Sequence, residues 1–83
     1  MILNNKGLYV PVRANLQAVS LNKLLPGDLF RFNDTQKKFS PSVIYRVVCA
    51  NSLFVQFDKG PSYPIIELGY NSKYFDCSVF KYI

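Results

Sequence analysis

The sequence predicts an all-β domain, a small antiparallel barrel or rolled sheet of five or six short strands. Phe, Tyr, Val and Ile, which suit half-buried strands, are plentiful, with seven Phe and six Tyr in 83 residues, while Glu occurs only at Glu67. No stretch of three turns carries apolar residues at helical spacing. Short apolar runs instead recur roughly every ten residues, separated by Gly, Pro, Asn, Asp and Ser. Without crossover helices the strands pair antiparallel, and rolling the sheet leaves few open edges.

The first strand predicted is Leu8–Arg13, where Leu8, Val10 and Val12 alternate with Tyr9, Pro11 and Arg13. Pro11 has no N–H for a central ladder, so this strand belongs at an edge or at a strand start. A short apolar segment, Leu16–Leu21, follows, and then a single 3₁₀ or α turn over Asn22–Leu25. Pro26 pre-sets φ for a reversal and Gly27 supplies the positive φ of a type II turn. Leu29-Phe30-Arg31-Phe32 then reads as a strand with Phe30 and Phe32 toward the core. Asn33–Ser42 is a polar loop, longer than usual hairpin connections and hence a candidate functional loop.

Val43–Cys49 and Leu53–Phe57, joined by Ala50-Asn51-Ser52, form the strongest hairpin signal. Alternation puts Val43, Tyr45, Val47 and Cys49 on one face, and Leu53, Val55 and Phe57 on one face of the partner strand. Arg46 and Gln56 then point to solvent. Asp58–Pro64 is a loop built from breakers, Ile65–Leu68 a short strand closed by Gly69, and Tyr74–Phe80 the last strand, with Phe75, Cys77 and Val79 inward.

Eighty-three residues make one domain, and a chain this short buries only roughly 60 to 65 per cent of its unfolded surface. At 49 per cent hydrophobic and 18 per cent charged, the composition is that of a folded domain. Met1–Gly7 holds no apolar run of signal-peptide length and nothing later approaches a membrane span, so a cytoplasmic protein is expected. Cys49 and Cys77, in apolar strands, read as free thiols.

The stretch Leu24-Leu25-Pro26-Gly27-Asp28-Leu29-Phe30-Arg31-Phe32, followed by the Val43–Val48 and Leu53–Phe57 strands, resembles the opening of SH3-like barrels. In that family a Gly-Asp turn launches a curved strand and a meander follows. The resemblance spans about residues 20 to 80 and implies a small barrel; its one motif is the Pro-Gly-Asp turn. The short chain and its Asn, Lys, Tyr and Phe bias also resemble small accessory proteins encoded by bacteriophages, a likeness that assigns no residue a role.

The residues argue against catalysis. There is no His, which removes the commonest general base near neutral pH and the commonest transition-metal ligand. Two cysteines alone cannot complete a four-ligand zinc site, and neither has a His to activate it. The carboxylates Asp28, Asp34, Asp58, Glu67 and Asp76 each have a local reading, the first three at turns or loop starts and the last two on solvent-facing strand positions. No phosphate-cradling glycine loop exists. No catalytic residue, cofactor or metal is expected.

Binding is therefore the expected function, and the residues leave two ligand classes open. A protein partner, bound by an inhibitor, adaptor or assembly subunit, would use the apolar strips Tyr63-Pro64-Ile65-Ile66 and Phe80-Lys81-Tyr82-Ile83, with Tyr63, Pro64, Ile66 and Tyr82 as contacts. Nucleic acid or a nucleotide would use a basic, tyrosine-lined surface of Arg31, Lys37, Lys38, Tyr45 and Arg46. The net charge of +5 favours anionic partners but also serves solubility. The plainer reading beside both is that the tyrosine rings and Ile66 fill the core and the cations are ordinary solvated charges. Monomer and homodimer are both compatible with one edge closed by Pro11.

Overall fold

The computed structural model describes residues 2–4, 8–10, 15–33 and 38–83. Their strands are β1 (Ile2–Asn4), β2 (Leu8–Val10), β3 (Leu16–Ser20), β4 (Leu29–Phe32), β5 (Tyr45–Ala50), β6 (Phe54–Asp58), β7 (Ile66–Gly69) and β8 (Ser78–Tyr82), with one 3₁₀ turn at Leu21–Lys23. The architecture is all-β. Six strands form one antiparallel sheet in the order β3-β8-β4-β5-β6-β7, while β1 and β2 form a separate two-stranded sheet. The sheet is rolled and not closed, leaving β3 and β7 at its edges. Pairing of β2 with β1, Leu8 opposite Asn4 and Val10 opposite Ile2, adds a strand not anticipated from sequence. Pro11, Arg13, Asp34 and Lys37 lie outside the described residues.

The turn before β4 forms as its residues dictate. Gly27 takes φ of 91°, the Asp28 N–H donates to the Leu25 carbonyl at 3.0 Å, and Asp28 Oδ2 accepts the Leu25 N–H at 2.8 Å. Phe30 and Phe32 are fully buried, with Leu21, Leu24, Tyr45, Val47, Val55, Phe57, Leu68 and Val79 around them. Phe39, from the stretch read as a polar loop, closes this core by stacking on Phe32 at 4.2 Å between ring centres and 12° between planes.

Three strand readings are corrected. Val47 faces Phe57 but Cys49 faces Gln56, so Val48 is an extra residue in β5. That bulge moves Cys49 off the core face it would share with Val47 and sharpens the curl of the sheet. Leu53 is 61% exposed because the hairpin turn absorbs it: Asn51 Oδ1 accepts both the Leu53 and Phe54 N–H groups, at 2.8 and 3.0 Å. The last strand begins at Ser78, since residues 69–77 are wound into successive turns closed by Ser72 N–H to Gly69 O, Phe75 N–H to Ser72 O and Cys77 N–H to Tyr74 O. Tyr74, Phe75 and Cys77 still pack against the core. Both cysteines are free thiols.

Candidate functional site

Because Phe30, Phe32 and Val79 face the core, the alternate residues of β4 and β8 face the other way. Register then builds two cross-strand rows on this outer face, since residues directly opposite one another share a side. Ala18 of β3 lies opposite Phe80 of β8, and Phe80 opposite Arg31 of β4. Leu16 lies opposite Tyr82, while Leu29 lies opposite Arg46, itself opposite Asp58. Ile44 is buried beneath Leu29 and Tyr82, a small apolar cluster separate from the main core.

The chemistry of this face is apolar toward β3 and cationic toward β5. The Arg31 guanidinium carbon stands 4.7 Å from the centre of the Phe80 ring, in cation–π range. Burial pushes the Tyr82 phenol up, and the nearby Arg31 charge opposes part of that rise. Leu16 is 42% exposed and Ala18 is open to solvent. The edge strand beside them, Leu-Gln-Ala-Val-Ser, carries no charge and no proline, and its pairing with β8 runs from Leu16 to Ser20 without a bulge. Natural edges are usually blunted by such devices, and an edge lacking them is a template for another strand. The opposite edge, β7, is shorter and carries Glu67.

The expected site residues separate accordingly. Arg31 and Tyr82, assigned from sequence to different ligand classes, meet on one face. Arg46 shares the face, but its Nε and Nη2 donate to Asp58 Oδ1 and Oδ2 at 3.0 and 3.3 Å, so a carboxylate buried to 4% exposure already engages its charge. Asp58 also accepts the Gly60 N–H at 3.1 Å, a turn that explains its position at the end of β6. Tyr45 is corrected outright as an exposed stacking platform. It is 6% exposed, its ring is stacked against Phe30 at 5.7 Å, and burial raises its phenol pKa. Its position on the core side of β5 follows from Val47, two residues on, facing Phe57.

Lys38 stands elsewhere, its Nζ over the rings of Phe39 and Tyr74 at 5.7 and 5.5 Å. Lys37 lies outside the described residues. Tyr63 is half-buried under Lys59, whose Nζ is 4.9 Å from the ring centre, and Pro64 is exposed. Ile66, opposite Phe57 in the register, is partly buried and packs against the core, while Ile65 is the exposed isoleucine of that strip.

Leu16 and Ala18 were not legible as site residues, whereas Phe80 lies in the C-terminal apolar strip expected from sequence to meet a partner, though it was not singled out there as a contact. The available signal was a five-residue strand run free of charge and proline, and the alternation of Phe80 with Val79. The remaining described carboxylates are engaged locally or stand alone: Asp28 with Lys81 at 3.7 Å, Glu67 with the Gln56 amide at 2.8 Å, and Asp76 exposed. Among the described residues no three Cys, Asp or Glu side chains gather as a metal site, and no helix is long and apolar enough to cross a membrane. No protein-family model, curated protein or solved structure matches this chain.

Proposed function

We propose that the protein is a non-enzymatic interaction module that binds an extended segment of a partner protein, added as a strand along the free side of β3. One observation carries this reading: the uncharged, unbulged edge of β3 is continuous with a partly exposed apolar row, Leu16 with Tyr82 and Ala18 with Phe80, that ends at Arg31. Main-chain hydrogen bonds to the edge would supply affinity and alternate side chains seated on the row would supply selectivity. The net charge of +5 favours a segment that mixes apolar and acidic residues. The meander β4-β5-β6-β7 launched from the Pro26-Gly27-Asp28 turn also supports the SH3-like kinship expected from sequence.

The test is capture from a nuclease-treated cell lysate on the immobilised protein and on a Leu16→Glu/Ala18→Glu variant. The two glutamates remove the apolar contacts and repel an acidic segment, at positions exposed enough to leave the core intact. One protein retained in stoichiometric amount by the parent and lost by the variant is the expected result. Equal retention by both, or capture that vanishes with nuclease, refutes the proposal.

A further inference from the structure

Lys38 and Lys73 come from loops far apart in sequence and converge on one ring. Their Nζ atoms lie 5.5 and 5.3 Å from the centre of Tyr74, so the two like charges stand no farther apart than about a Debye length at 0.1 M salt, roughly 10 Å. Both lysines are exposed, and neither forms an ion pair with a described carboxylate. This sets them apart from Arg46 and Lys81, which have Asp58 and Asp28. Asp76, the nearest acid in sequence, acts instead on the Cys77 thiol, which burial and this charge push up together.

The placement is built into the fold. Tyr74 is half-buried, edge-on to Phe39 at 5.6 Å and 85°, and its backbone N–H is held by Ser72 Oγ at 3.2 Å. Phe39 anchors the neighbouring residue Lys38 by stacking on Phe32. The ring is thus fixed in place, with both ammonium groups within cation–π range of it. Tyr70, 67% exposed, stands on the same run of turns. Since Tyr74 packs against the main core, this cluster belongs to the opposite side of the sheet from the Leu16–Phe80–Arg31 face.

Two ammonium groups with no carboxylate partner among the described residues, set around an aromatic ring, attract a ligand that alternates anions with flat rings. We infer that Lys38, Lys73 and Tyr74 form a second binding site, for the backbone of single-stranded nucleic acid. Two successive phosphates take the ammonium groups, and a base stacks on the tyrosine in place of the cations now resting there. This site is independent of the β3 edge, and neither reading requires the other.

The experiment is fluorescence anisotropy of a labelled oligothymidylate titrated with the full chain, its Lys38→Ala/Lys73→Ala variant and its Lys38→Arg/Lys73→Arg variant. Salt is varied from about 50 to 200 mM. Each phosphate contact on a single strand contributes a slope of about −0.7 in log affinity against log salt. Removing both ammonium groups should therefore make the slope shallower by about 1.4, equivalent to about a seven-fold smaller loss of affinity across that range. The arginine variant keeps the parent slope. Absence of salt-sensitive binding by the parent, or an alanine variant with the parent's slope and affinity, overturns the inference.

Discussion

Phe39→Ala tests whether the loop between β4 and β5 is anchored by its one aromatic residue. The ring is 8% exposed. It stacks on Phe32 at 4.2 Å and meets Phe57 at 5.9 Å, Tyr45 at 6.4 Å and Tyr74 at 5.6 Å. Truncating a buried Phe costs about 3–5 kcal/mol, the transfer of the lost ring plus the cavity left behind. A chain of this length has a total stability on the order of 4–12 kcal/mol, so the variant should lose about a quarter of it or more. At about 4–8 °C per kcal/mol for a small domain, Tm should fall by on the order of 12 to 40 °C. Urea unfolding followed by far-ultraviolet circular dichroism reads the difference directly. Phe39→Leu, which keeps most of the apolar volume, should cost roughly half of this or less. A loss below about 1 kcal/mol for the alanine variant, the range of a surface substitution, would refute the assignment of Phe39 to the core.

The Arg46–Asp58 pair should respond unequally to truncation, because the Asp58 side chain is 6% exposed and that of Arg46 is 38% exposed. Arg46→Ala strands a buried carboxylate and should cost about 3–5 kcal/mol. Asp58→Ala leaves a guanidinium that water can reach and an unpaired Gly60 N–H, for about 1–3 kcal/mol; equal costs in urea unfolding would contradict this. Tyr45 and Tyr82 both have phenol pKa values raised above 10.0 by burial. The unfolded chain therefore releases these protons first. Their contribution to stability is complete below pH 10 and is lost as pH rises from there through the folded values. The urea midpoint should decline above that pH, and the decline should flatten in a Tyr45→Phe/Tyr82→Phe variant; an unchanged decline would place its cause elsewhere.

Period-two alternation and breaker residues determined the class of fold and most of its elements from the sequence alone. Leu29-Phe30-Arg31-Phe32, the Pro26-Gly27 reversal and the hairpin of β5 and β6 are local patterns, set by side-chain direction and backbone φ, so they are readable without knowledge of neighbours. The errors begin where a residue's position depends on a distant partner. Cys49 changes face because Val48 bulges against β6, Leu53 is expelled by the Asn51 turn, and Phe39 leaves a polar stretch for the core because Phe32 offers it a stacking surface. Tyr45 and Ile66 were assigned to binding surfaces by chemistry that suits either side of a sheet; alternation already set Tyr45 beside Val47 and away from solvent-facing Arg46, while register against Phe57 turns Ile66 toward the core.

The same division governs the candidate site. The sequence shows that Arg31 and Tyr82 are a cation and an amphipathic ring, and that β3 lacks charge. Strand order decided that β8 lies between β3 and β4, which sets Phe80 between Ala18 and Arg31 and leaves β3 at an edge. Strand order is a tertiary property because hydrogen bonding along a strand is indifferent to the sequence distance of its partner, whereas alternation is imposed residue by residue.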